Sequence, residues 1–308
     1  MNIRVWSTSV RKILAGIFLF GSLVGDGGCT VKVANKSAKE MFPEPQVAAL
    51  ADAAANGNVG EVDRLIKTGV HVDGLGYQHT TPLTFAMLAP NLNGMEALLK
   101  NGANPNHRMD DPVVFGGLPI ILFLPRSNHA PLMELMLKYG ANPNTRQPVK
   151  KALAKEFPYE GDSLLILSVM SLDNVKVLIK YGADVNLRPQ TAPNGHGGAT
   201  AATVAAGLGQ LDVLDFLLEH GTTVDLDNIA DALQGRNWAP AAKAHRIKLL
   251  ERIHAMGAKI YSAYKPMKST KVEAYAAQDT PQNLLSPGYY EPKPYKGDTP
   301  VKLPEKLQ

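Results

Sequence analysis

Eight histidines, a single cysteine and a few adjacent carboxylates are the side chains of this chain best suited to binding metal or moving protons. The histidines (His71, His79, His107, His129, His196, His220, His245 and His254) are dispersed along the sequence. There is no His-Glu-x-x-His to set two ligands on one helical face, no Gly-x-Ser-x-Gly nucleophile turn and no cysteine pair. His79 and His107 fall in neighbouring polar stretches and could face one another, but two imidazoles alone make a surface contact, and no metal is expected. Asp110-Asp111 reads as a solvated turn. The glycines of Asn194-Gly195-His196-Gly197-Gly198 lack the following lysine and hydroxyl residue that a phosphate cradle needs. No catalytic residues, no enzyme and no cofactor are expected, which leaves binding as the chemistry to look for.

The chain has 308 residues, of which 45% are hydrophobic and 19% charged, with a formal charge of +4. That is ample material for a core and too little positive charge for a nucleic-acid footprint, so no nucleic acid is expected as partner. At the N-terminus Arg4, Arg11 and Lys12 precede an apolar run, Ile13 to Val24, and then Gly27-Gly28-Cys29. The run is too short to span a bilayer and reads as a secretory signal peptide over residues 1–28. A lone cysteine at the end of such a segment resembles the lipid-attachment site of bacterial lipoproteins, although Asp26 stands where that motif carries an apolar residue. The resemblance implies lipidation at Cys29 and, with Thr30 following, a periplasmic protein anchored to the outer membrane that meets the membrane only through its lipid.

The elements that would hold these side chains repeat: Leu98-Leu99-Lys100-Asn101-Gly102-Ala103-Asn104-Pro105-Asn106 recurs in variant form around Gly69, Gly102, Gly140, Gly182, Gly221 and Gly257. Apolar residues stand three, four and seven places before these glycines, as in Leu99, Leu98 and Met95, with His254 as the one replacement, and this makes one helical face. Each glycine should end its helix in a left-handed turn. Four residues after it comes Asp73, Asn106, Asn144, Asn186 or Asp225, with Tyr261 in the last copy. Upstream, Thr81-Pro82-Leu83-Thr84 reads as a capped helix start, and Leu118-Pro119-Ile120-Ile121, Ser163-Leu164-Leu165-Ile166 and Thr200-Ala201-Ala202-Thr203 stand in the same register. Helix, turn, helix, glycine and hairpin resemble the ankyrin repeat, and the 33 residues from Gly69 to Gly102 equal its period.

The resemblance implies an all-α solenoid of about six helix-turn-helix repeats with hairpin tips over residues 46–260. A flexible tether at 29–45 would precede it, and a disordered Pro-, Tyr- and Lys-rich tail at 261–308 would follow. The family's threonine-proline-leucine-histidine motif has lost its histidine throughout, which should weaken the individual repeats. Long insertions, Thr145 to Gly161 and Arg188 to Gly198, belong to loops. Ankyrin proteins hold other proteins on a concave surface of hairpin tips and first helices, so Tyr77, His79, Arg108, Asp110, Arg146 and Arg188 are the expected partner-binding residues. Exported ankyrin lipoproteins resemble immunity proteins that neutralise toxic effector enzymes, among them lipases of the type VI secretion system. The alternative is a scaffold or protective factor for a periplasmic enzyme or envelope complex.

Overall fold

A computed structural model describes residues 32–33, 36–89, 91–110, 117–125, 130–148, 161–189, 198–234 and 240–259. The expected signal peptide, Cys29, Asp111, the tail at 261–308 and the centres of both insertions lie outside the described residues. The chain divides at Asp225/Leu226 into two compact units.

In the first unit a short hairpin, β1 (Lys32–Val33) with β2 (Lys36–Ser37), leads into α1 (Ala38–Met41). Helix pairs follow: α2 (Pro45–Ala55) with α3 (Val59–Lys67), and α4 (Pro82–Leu88) with α5 (Leu92–Lys100). A 3₁₀ turn at Ile120–Phe123 then precedes α6 (Ala130–Lys138). The last two pairs are α7 (Leu164–Leu167) with α8 (Leu172–Lys180), and α9 (Ala201–Leu208) with α10 (Leu211–Glu219). Between the second and third pairs lies a hairpin of β3 (Arg108–Met109) and β4 (Leu118–Pro119). The second unit holds α11 (Leu226–Gln234) and α12 (Pro240–Ala255).

Every second helix ends in the way the glycine spacing predicts. At Gly102 φ is 90°, the glycine N–H donates to the Leu99 carbonyl at 3.1 Å, and the Ala103 N–H reaches back to Leu98 at 3.0 Å. A Cβ there would meet nothing within 4 Å, so it is the left-handed dihedral and not crowding that selects glycine. The other five turn glycines share this geometry, with φ between 84° and 103°. The helical face is sealed in a graded way. The residues seven places before the glycine, Val62, Met95, Met133, Val175, Leu214 and Leu250, are all fully enclosed, whereas the position three before it varies from buried Leu99 to half-buried Ile66 and His254. Each enclosed leucine contributes roughly 1.5–3 kcal/mol by leaving water.

The Asn and Asp residues after the first four turns join neighbouring pairs. Asn106 Nδ2 donates to the Gly140 carbonyl at 2.8 Å, while its Oδ1 accepts the Asn142 N–H at 2.8 Å. Asn144 repeats both bonds on Gly182 and Asp184, and Asn186 on Gly221 and Thr223. Asp73 has no amide hydrogen to give and only accepts, taking the Asn104 N–H on both oxygens. In the second unit the Lys259 N–H, two residues past its turn glycine, is instead taken by Asp227 at 2.7 Å. The second helices are tied as well: Glu96 accepts from Lys138 at 3.0 Å and from the Tyr139 hydroxyl at 3.1 Å, and these bonds, Lys138 first, hold its carboxyl below the usual range.

Three differences from the sequence reading have physical causes. Residues 29–45 read as a flexible tether, but from Lys36 the chain is folded. Ser37 and Glu40 form a capping box, and Ala38, Met41 and Phe42 are buried, with Phe42 edge-on to Phe85 at 6.0 Å. The missing motif histidine is replaced in part by a hydroxyl. Thr84 Oγ1 lies 3.0 Å from Thr81 Oγ1 inside the core, Thr203 lies 3.1 Å from Thr200, and both threonine caps accept the backbone N–H three residues on. Where the cap position holds Leu118, whose side chain has no acceptor to offer, the first helix is the 3₁₀ turn and carries no side-chain cap.

Candidate functional site

The hairpin edge of the first unit carries the residues expected to bind a partner. At its first tip, Tyr77–His79 form a 3₁₀ turn in which Gln78 and His79 both take left-handed dihedrals, φ 55° and 54°. For residues with a Cβ that conformation is costly and persists only where the surroundings over-determine it. Here they do. The Gly76 N–H donates to the Thr80 carbonyl at 2.7 Å, the Thr80 N–H and hydroxyl both donate to the Tyr77 carbonyl, and the Asp110 N–H of the next tip donates to the Gln78 carbonyl at 3.0 Å. His107 Nε2 donates to the His79 carbonyl at 2.6 Å, and the His79 ring faces the Asp110 carboxylate at 3.3 Å.

Four of the expected binding residues, Tyr77, His79, Arg108 and Asp110, are thus brought into two bonded, adjacent tips. Tyr77 stays 57% exposed with the Lys36 ammonium 5.3 Å from its ring centre, and Leu75 beside it is 51% exposed. An exposed aromatic with a cation over its ring is the kind of side chain that dominates protein contacts. The two histidine rings do not converge: one is spent on a carbonyl and the other on a carboxylate. Among the described residues no three of His, Cys, Asp and Glu gather as metal ligands.

Arg146 and Arg188 are placed differently. Arg146 pairs across an isolated bridge with Ser163, the cap of α7, and is half-buried. Its backbone is held on both sides, by the Leu164 N–H on the Thr145 carbonyl and the Gln147 N–H on the Asp162 carbonyl. Burial pushes the Asp162 carboxyl up from its ordinary value. Arg188 is bound to Asp225 of its own unit at 2.5 Å, and Asp225 sits at φ 60°.

A regularity that the sequence reading passed over connects three of these residues. Arg108, Arg146 and Arg188 each stand six places after a turn glycine, Gly102, Gly140 and Gly182. Two of them lie opposite the residue that opens the next first helix, Arg108 facing Pro119 and Arg146 facing Ser163. The spacing was readable, but the cross-strand partner, which fixes how enclosed each guanidinium becomes, was not.

Residues 121–228 match a family model of ankyrin repeats in three copies. That stretch contains the turns at Gly140, Gly182 and Gly221, and the turns at Gly69, Gly102 and Gly257 outside it have the same geometry. No curated protein matches the chain. Ankyrin repeats mark it as a protein-interaction module.

Proposed function

We propose that the chain, with six ankyrin repeats between residues 46 and 260, is a non-enzymatic periplasmic binding protein that captures and blocks a toxic effector enzyme. The observation that carries the binding reading is the first pair of tips. Strain at Gln78 and His79 is held by bonds from the neighbouring tip, and the outcome is an exposed Tyr77 beside Arg108 at fixed spacing. Interfaces gain affinity from anchors that need not be ordered on binding. The export reading rests on the basic start, the short apolar run and Cys29 in the sequence.

The effector would be sought as the product of the reading frame beside this one. Mixed with the purified chain at equal concentration, its activity should vanish, while the double variant Tyr77→Ala, Arg108→Glu should leave the activity intact and melt at the wild-type temperature. Both residues are exposed, so the fold does not depend on them. A complex in which the enzyme keeps full activity would refute inhibition and favour the scaffold reading. For the anchor, labelled palmitate should enter wild type and not Cys29→Ser; equal labelling of both, or of neither, would remove the lipid.

A further inference from the structure

We infer that the N-terminal end of the repeat stack takes a basic side chain, arginine or lysine, from the protein partner, with Asp52 as its counter-ion. This deepens the binding reading above, rests on it, and adds a second region of contact to the tips. A cleft of 830 Å³ opens at that end, lined from α1 and its C-cap by Lys39 and Phe42 and from the first helix pair by Ala49, Asp52, Ala53 and Glu61. It exists because the stack ends there. One repeat of 33 residues further on, the position of Asp52 is held by Phe85, which is fully buried. Ahead of α2, by contrast, the described residues supply only the short hairpin and the four residues of α1, and the equivalent face stays open.

The carboxylate in this cleft is one that folding alone does not favour. Asp52 is half-buried in the last turn of α2, where the helix dipole opposes negative charge. The positions three and four residues away hold Ala48, Ala49, Ala55 and Asn56, so no cation stands within helical reach. No hydrogen bond or ion pair reaches its side chain among the described residues, and Lys39, exposed in the same cleft, does not pair with it. Glu61, Glu96 and Glu134 differ: they meet Arg64 at 2.7 Å, Lys138 at 3.0 Å and Lys180 at 2.5 Å. A partly dehydrated carboxylate without a donor is a cost that a cation from outside would offset. The walls suit the rest of such a side chain, because Ala49 and Ala53 leave room beside α2 for its methylene stem while the charged head reaches Asp52. An acidic or wholly apolar segment in the cleft would dehydrate Asp52 further and give it no donor.

The test uses the purified chain and a capped tripeptide, acetyl-Gly-Arg-Gly-amide, whose guanidinium is its only charge. The same peptide with citrulline in place of arginine, equal in shape but neutral, is the control. In a titration followed by amide NMR the arginine peptide should shift the signals of Ala49, Asp52 and Ala53, with an affinity that falls as salt is raised. Asp52→Asn keeps the size of the side chain, should melt no lower than wild type, and should weaken binding about tenfold or more. Lys39→Ala removes the cleft's own cation and should bind at least as tightly as wild type. No binding, equal binding of the citrulline peptide, equal binding by Asp52→Asn, or shifts centred away from α2 overturn the inference. Weaker binding by Lys39→Ala overturns it too, since the cleft would then favour an acidic group. If the effector is still blocked by a chain that binds no arginine peptide, the binding reading stands and the cleft alone falls; a chain that binds the peptide but blocks no effector removes the inhibition reading alone.

Discussion

Gly94→Ala should destabilise the protein although helix propensity alone says the opposite. Gly94 is the third residue of α5, inside a helix, where alanine is ordinarily better than glycine by roughly 1 kcal/mol. A Cβ built there would lie 1.8 Å from the Ala54 carbonyl oxygen, 2.6 Å from its carbon and 2.9 Å from Ala54 Cα. All three are backbone atoms of α2, so no side chain can swing aside, and the helices must part by about 1.5 Å to restore ordinary contact. That parting would loosen an interface whose α2 side holds Ala51 and Ala54, both fully buried. Overpacking costs about 1–3 kcal/mol, and a clash against rigid backbone belongs at the upper end. Subtracting the propensity gain leaves a net loss of about 2 kcal/mol. Gly60→Ala is the matched control. It also sits in the first turn of a second helix, α3, but its Cβ would meet only Asn58 Oδ1 at 3.9 Å, and the change should be neutral or stabilising by up to about 1 kcal/mol. Urea unfolding of the three proteins reads both signs from the midpoint at constant slope. A Gly94→Ala protein as stable as Gly60→Ala would refute the close approach of α2 and α5.

The other predictions concern single bonds. Asp73→Asn should stabilise by about half a kcal/mol in the same assay, because it supplies the amide that Asn106, Asn144 and Asn186 each give to the next turn glycine. Thr84→Val keeps volume but removes a buried hydroxyl bonded to Thr81, and should cost about 1 kcal/mol; no loss would mean that the hydroxyl pair does not stand in for the motif histidine. Burial raises the folded-state pKa of Asp162, so this carboxyl's contribution falls as pH rises from the ordinary aspartate value through the folded one. Asp162→Asn should therefore raise the melting temperature at neutral pH, with the gain shrinking to nothing in acid. A gain that persists at low pH would point to a cause other than ionisation.

The second helices and their ends were legible because they follow from local rules. Apolar residues three, four and seven places before a glycine specify both the buried stripe and the turn that ends it, and Met95, Leu98, Leu99 and Gly102 behave accordingly. The first helices were legible only as far as their caps. Ser163, Thr81 and Thr200 start helices, but the side chains of Leu118 and Pro119 offer no acceptor at the cap, and the helix there is a single 3₁₀ turn. Residues 36–42 were misread from composition. The lysines suggested a solvated tether, yet Ser37-Ala38-Lys39-Glu40 spells a capping box, with Ala38, Met41 and Phe42 at helical spacing. Among the expected binding residues, Tyr77 in its 3₁₀ turn and Arg108 in the short strand β3 are exposed as their polar surroundings suggested. The expectation of exposure failed for Arg146 because its enclosure depends on Ser163, on the far side of the long insertion. The left-handed pair Gln78-His79 had at most half a signal, since histidine is among the side chains enriched in that conformation and glutamine is not.

The strain at that pair and the close contact at Gly94 belong to one arrangement. Gln78 and His79 are held in place by Asp110 and His107, which follow α5 in the next repeat, so the first tip keeps its shape only while the two repeats keep their spacing. That spacing is fixed at the helices by Gly94 against Ala54, near the hairpins by Asp73 on the Asn104 N–H, and along the second helices by Asn101 on Asp63 at 2.9 Å. Three contacts of different kinds thus hold one distance. A tip held by its neighbour presents Tyr77 and Arg108 as a single rigid unit, and a partner that binds them has little ordering entropy to overcome. The same linkage explains why glycine survives at position 94 against its helical preference: a side chain there would move α5 and, through Asn101 and His107, the tip that the fold is holding still.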